Sequence, residues 1–171
     1  MTTGMDSKET EGGIPGKGWL CPRISGSRPA WKGRKGGLVE SMIRRFDDLP
    51  WTPLPGNPNV NVKELLSREE AGSLGLKLWR ILFEKIEPGA AVLPHFHDTA
   101  EVIHFIHGEV HALVGGRRSV CRPGETLIVE SGAVHGVANR GSEPTTQISY
   151  FVPKADQADF GRTEKVSGVE I

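Results

Sequence analysis

The chain has 171 residues, and its 21 Lys and Arg are balanced by 21 Asp and Glu. That length favours one domain with a core of its own. Zero net charge gives no global attraction to nucleic acid or to an anionic membrane, and no apolar run nears the roughly 20 residues of a membrane span.

The predicted elements begin late. Residues 1–41 are glycine-rich without apolar periodicity, and are expected to be a disordered or vector-derived tail. Its basic stretch carries Arg28, Lys32, Arg34 and Lys35 and reads as a solvated arm. Met42 opens MIRRFDDLPW and reads as an alternative start. Pro50, Pro53, Pro55 and Pro58 exclude a helix up to Asn59 and predict an extended edge segment, with Trp51 and Leu54 packing on the outside or against a second subunit. Residues 59–66, NVNVKELL, alternate as a first strand, and SREEAGSLG after them reads as an exposed turn. The run 76–86, LKLWRILFEKI, is the longest strand candidate. Trp79, Ile81 and Phe83 share one face, which is plain core or, if it points inward, the lining of an apolar cavity, with Arg80 and Glu84 on the other face.

The densest chemistry lies between Gly89 and Gly108, GAAVLPHFHDTAEVIHFIHG. Residues i and i+2 of a strand point the same way, so His95 and His97 present their imidazoles side by side. Asp98, Thr99 and Ala100 supply a turn, and Glu101 opens the next strand with its carboxylate able to swing back. Two imidazoles and a carboxylate suit a divalent transition metal. By parity His104 points away from that site. His107 has the right parity but lies too far along, and His111 is half exposed. The outward face Val102, His104, Ile106 is apolar enough to predict a homodimer packed through it.

Gly115-Gly116 predicts a hairpin, and Pro123-Gly124 the next turn. ETLIVE is a strand. It is followed by a short strand bearing His135, the best candidate for a fourth ligand, with Val137 and Asn139 on its face. TTQISYFVP is the last strong strand, and residues 154–171 read as a polar tail with at most a short helical turn. The two cysteines, Cys21 and Cys121, read as free thiols in a reducing compartment, and with no apolar leader evident the expected location is cytoplasmic.

Gly89, His95, His97, Glu101 and Gly108 fall as G-x5-H-x-H-x3-E-x6-G. Gly124, Gly132, His135 and Asn139 fall as a second pattern, in which Glu130 replaces the usual proline. Together they resemble the two motifs of the cupin superfamily, over roughly residues 60–152. The resemblance implies an all-β fold: one double-stranded β-helix barrel over residues 42–153, with a metal near its mouth. It implies no particular reaction, because such a fold hosts many.

Four protein ligands, His95, His97, Glu101 and His135, leave two positions on a six-coordinate ion. That ranks Fe²⁺ or Mn²⁺ first, then Ni²⁺, Cu²⁺ and Zn²⁺. Asn139 and Thr126 are candidates to hold the free ring nitrogens. Phe105, Ile103, Val137 and Ile148, with Trp79 and Phe83, would make the remaining pocket mostly apolar. The expected substrate is then a small apolar or aromatic oxygenated molecule that chelates the metal. A non-haem dioxygenase is the first expectation. A metal-dependent isomerase, decarboxylase or lyase is the alternative, and so is a non-catalytic small-molecule sensor. No separate general base is evident; Glu130 is a weak candidate.

Overall fold

The computed structural model describes residues 43–171; the tail, its basic stretch, Cys21 and Met42 lie outside the described residues. A short 3-10 turn, Phe46–Asp48, leads into strand β1 (Thr52–Pro53), β2 (Val60–Leu66), the single-turn helix α1 (Arg68–Ser73) and β3 (Arg80–Ile86). Then follow β4 (Ala91–His97), β5 (Ala100–His107), β6 (Val110–Val114), β7 (Arg117–Cys121), β8 (Thr126–Val129), β9 (His135–Ala138), β10 (Thr145–Val152) and β11 (Thr163–Lys165). One sheet runs β1-β2-β3-β10-β5-β8 and the other β11-β4-β9-β6-β7, and every paired strand is antiparallel. Period-two side chains from both sheets meet between them. The all-β barrel expected from the sequence is the observed architecture.

The apolar core closes one end of the interior. Val60, Ile86, Val92, Ile103, Phe105, Val110, Ala112, Val129 and Val137 pack into one buried cluster. At roughly 25 cal/mol per Å² of apolar surface removed from water, these side chains supply most of the stabilisation of the sandwich. Gly108 turns β5 into β6 with φ 74°, and a Cβ there would meet Thr145 Cγ2 at 2.6 Å. Glycine is required at that turn both by its dihedral and by the close approach of β10.

Three expectations are corrected. SREEAGSLG is not an open turn: Ser67 caps α1, its hydroxyl accepting from Glu70 N while the Glu70 carboxylate accepts from Ser67 N. That reciprocal pairing is a capping box, which the S-x-x-E spacing already spells.

The second correction is the phase of β3. Leu82, Glu84 and Ile86 are its buried, inward residues, and Arg80 shares their parity. Phe83 points outward, its ring 4.8 Å from Phe46 and 6.0 Å from Trp51. Lys63 is buried on that outer side, with Nζ 4.0 Å from the Phe46 centroid and donating to Phe46 O at 2.8 Å. The outer stripe of β3 is apolar because an aromatic layer covers it, not because it lines a cavity.

Third, the polar C-terminal segment does not hang free. β11 adds to the edge of β4, with Thr163 opposite His97 and Lys165 opposite His95. Residues 154–171 contain no helix.

Candidate metal centre

β4 carries His95 and His97 two residues apart, and β9 lies beside it with His135 directly opposite His95. The ladder between them is irregular from Val92 to His95. Pro94 falls in this break, where its missing N–H costs no ladder bond. Gly136 lets the strands close beside His135: a Cβ there would lie 2.8 Å from Val92 O and 3.2 Å from Pro94 N. Glu101 comes from β5 in the other sheet, after the tight Asp98-Thr99 connection.

The structure therefore brings His95, His97, Glu101 and His135 together, with one donor atom from each within 4.8 Å of all the others. His97, Glu101 and His135 are 2%, 4% and 2% exposed, and His95 is half-buried. Trp79 and Phe151 pack on His97 with ring centroids 6.2 and 5.2 Å away, giving the cluster a dry side.

Each histidine is oriented by its own strand. His95 Nδ1 donates to Leu93 O, His97 Nδ1 to Thr99 O and His135 Nδ1 to Ala133 O, all at 2.8 Å. A carbonyl only accepts, so the shared proton belongs to Nδ1 in each ring and Nε2 of the neutral imidazole is a lone pair. Backbone carbonyls thus perform the role expected of Asn139 and Thr126. Asn139 instead ties a turn, donating to Ile86 O and Glu143 O and accepting from Gly141 N. Thr126 bonds exposed His104 at 3.0 Å on the outer face. Glu130 is exposed and distinct from the cluster.

Glu101 Oε2 lies 3.0 Å from His97 Nε2 and 2.9 Å from His135 Nε2. A carboxylate and a lone-pair nitrogen are both acceptors, so these short buried contacts require a shared cation. In the metal-free protein that cation is a proton. Burial lowers the His135 pKa, but its hydrogen bond to Glu101 and the Glu101 charge outweigh this and raise it overall. Burial likewise pushes Glu101 up, and the bonds from His135 and His97 overcome it, holding the carboxyl down at about 2. His95 is driven down to about 4, first by burial and then by His135 beside it, and is neutral at physiological pH. With that proton displaced, three imidazoles anchored through Nδ1 and one carboxylate fit a divalent transition metal.

The C-terminal segment locks the connection between His97 and Glu101. Asp98 Oδ1 accepts from Gly161 N at 2.8 Å and Arg162 N at 3.1 Å, and Gln157 Nε2 donates to Asp98 O at 3.0 Å. Gly161 lies under Trp79, where a Cβ would meet Nε1 at 2.9 Å.

Facing the histidines is a wall that the sequence reading assigned to the wrong side of β3. Phe151 on β10 is in register with Arg80 on one side and Glu101 on the other; Gln147 is in register with Glu84 and Phe105. Glu84 is 4% exposed and accepts from Gln147 Nε2 at 2.6 Å. Burial, and then the Glu101 charge, push its carboxyl up to about 8 against the lowering effect of Gln147. The interior beside the cluster is therefore polar as well as apolar, and Ile148 is on the outer face of β10. The alternation Arg80, Leu82, Glu84, Ile86 was the signal that could have found this wall.

The fold and site define a small antiparallel β-barrel with a buried three-histidine, one-carboxylate cluster able to hold a metal ion. Residues 82–151 match the family model of the Cupin domain, so that stretch is a cupin domain. A predicted oxalate decarboxylase from Thermotoga maritima is similar in structure at TM-score 0.60 and 20% identity, covering 66% of this chain and 100% of that one. The polyketide cyclase RemF from Streptomyces resistomycificus follows at TM-score 0.58 and 18% identity, covering 73% and 86%. A cupin-2 domain protein from Rhodospirillum rubrum gives TM-score 0.58 and 17% identity, covering 76% and 82%. At these identities the likeness is one of fold. No curated protein matches the chain. Among the described residues, no helix is long and apolar enough to cross a membrane.

Proposed function

We propose that the chain is a metal-dependent enzyme acting on a small oxygenated substrate that chelates the metal. His95, His97, Glu101 and His135 would hold Fe²⁺ or Mn²⁺ first, and Ni²⁺, Cu²⁺ or Zn²⁺ after them. The carrying observation is the pair of acceptor-to-acceptor contacts at Glu101 Oε2, made by rings whose Nδ1 protons are already committed to carbonyls. When bound, the metal would supply Lewis acidity and, as Fe²⁺, access to oxygen chemistry.

The chain's own groups divide the work further. Trp79 and Phe151 keep water from one side of His97, which strengthens electrostatic interactions there. Arg80, in register with Phe151, offers a positive charge to an anionic substrate. In the metal-free protein burial, and then the Glu101 charge, push the Glu84 carboxyl up to about 8, which makes it the candidate acid of the interior. This acid favours a proton-transfer reaction (isomerase, decarboxylase or lyase) over the dioxygenase expected from the ligand set alone. Oxidative cleavage is retained as the second reading, on the donor set itself.

Metal analysis of the purified protein, followed by assay with small diketones, phenolic ketones and 2-hydroxy acids, tests this. Turnover without oxygen uptake supports the first reading, and stoichiometric uptake supports the second. Metal binding without turnover of any kind would make the chain a binding module. A homodimer is proposed in addition, through the outer face of β5, β8 and β10. There Ile106, Ile128, Tyr150 and Val152 are exposed, Ile128 by 70%. A monomer mass in solution would refute it.

A further inference from the structure

A row of three inward residues crosses the sheet that faces the histidines. Arg80 on β3, Phe151 on β10 and Glu101 on β5 are in register on neighbouring strands. Arg80 has the parity of buried Leu82 and Glu84, and Phe151 and Glu101 are themselves buried. Two strand spacings separate Arg80 from the ligand Glu101, about 10 Å between backbones. Arg80 opens its strand and is half-buried. Its guanidinium carbon lies 4.2 Å from the centre of the Trp79 ring and 6.0 Å from that of Phe151. The same two rings pack on His97. The arginine and the metal ligands are thus neighbours of one aromatic pair.

That guanidinium is not committed to the protein. Among the described residues it forms no ion pair and no hydrogen bond. Stacking on Trp79 uses one face of its plane and leaves the N–H donors around the edge free. Glu64, on β2 opposite Leu82, is exposed and beyond ion-pair distance; Glu84 is bonded to Gln147 instead. A cation half out of water with no acceptor on its donors is unfavourable, and a ligand that supplies one relieves it. The edge of a guanidinium matches the two oxygens of a carboxylate. A hydroxyl or ketone would engage that edge singly and without its charge. A phosphate monoester carries nearly two negative charges, and the charged groups acting on Arg80 are the acids Glu64 and Glu84, with no second cation.

We propose that Arg80 receives a second carboxylate of the substrate, so that the substrate is a diacid: one end chelates the metal, the body lies across Phe151 and Trp79, and the far carboxylate meets the edge of Arg80. The inference rests on the metal reading above, and it narrows the substrate from any small chelating molecule to one with a carboxylate a few carbons beyond the chelating group. Arg80 is a specificity-determining residue; no bond is made or broken at it.

The test uses the Mn²⁺-loaded chain and two matched pairs of acids, 2-hydroxyglutarate with 2-hydroxypentanoate and 2-hydroxyadipate with 2-hydroxyhexanoate. Within a pair the chelating end and the number of carbons are the same, and only the distal carboxylate differs. Isothermal titration should show the diacid of at least one pair bound at least about tenfold more tightly, the worth of one hydrogen bond to a charged group. Arg80→Gln should bring that ratio to about one. Arg80→Lys keeps the charge and the aliphatic stem but not the fork, so its ratio should fall between the two. That partial rescue is one a packing role for Arg80 would not give, and it keeps the test open where the Gln variant misfolds. A wild-type ratio near one in both pairs, a ratio unmoved by both variants, or no binding of any of the four acids to metal-loaded protein would overturn the proposal. Metal content measured on the same samples separates the two readings: bound metal without a diacid preference removes the role of Arg80 alone, whereas absent metal removes the reading beneath it.

Discussion

The two walls of the barrel interior treat their polar groups in opposite ways. On β4 and β9, His95, His97 and His135 each have Nδ1 bonded at 2.8 Å to a carbonyl two residues away. On β10, facing them, Gln147 donates through Nε2 to the buried Glu84 carboxyl at 2.6 Å while its Oε1 has no partner. One wall is preorganised before anything binds: ring planes, tautomers and approach are set by the strand's own backbone. The other spends its hydrogen bonds on a buried carboxyl that has no strand carbonyl to lean on.

The comparison breaks most completely at the first wall. His135→Ala removes a ligand and leaves Glu101 buried with one contact fewer. Metal affinity should fall by more than about 100-fold, beyond the range for changes one shell further out. Metal stoichiometry after dialysis against a mild chelator checks this; full retention would mean that the four side chains do not share one ion.

The second wall is broken by pH. Glu84 has its folded pKa raised to about 8 from an ordinary 4.5. The native state therefore binds more protons than the unfolded state between those values, and stability must fall as pH rises. The contribution is fully present below pH 4.5 and is lost as pH passes through about 8. Metal-free protein should lose on the order of 5 kcal/mol across that window. Glu84→Gln should flatten the profile, as read by urea unfolding at several pH values. An unchanged slope would show that Glu84 is ionised in the fold.

A smaller effect sharpens how the first wall is held. Asp98→Ala removes the acceptor for Gly161 N and Arg162 N and loosens β11 from the connection between His97 and Glu101. The expected loss is about tenfold in metal affinity, measured by chelator competition, with the histidines intact. Affinity equal to that of the wild type would make the C-terminal strand a mere edge cover. The smallest change lies outside both walls. Ser67→Ala deletes the α1 cap and should cost about 1 kcal/mol of stability with no change in metal affinity.

What could be read from the sequence was local. His95 and His97 share a face because a strand has period two, and Glu101 returns to them across a connection of a few residues. The turns at Gly108 and at Gly115-Gly116 follow from residues that accept positive φ, and all three glycines have it. The α1 cap is equally local, since the S-x-x-E spacing of Ser67 and Glu70 spells it.

Other features had no local cause. Both stripes of β3 contain large apolar side chains, and which one faces inward depends on Phe46, Trp51 and Lys63 arriving to cover the outer one. That choice decided whether the pocket was apolar or carried Glu84. The strand at 163–165 is short and charged, and becomes a strand only because β4 offers it an unpaired edge. By itself, the sequence determined that His95, His97 and Glu101 can share a cation, because strand periodicity and one short connection are sufficient for that; His135, 34 residues from Glu101, entered through the motif resemblance and is brought to them by the pairing of β9 with β4. Only the tertiary structure decided what faces them, because the phase of a strand with two apolar faces is settled by what packs on each side.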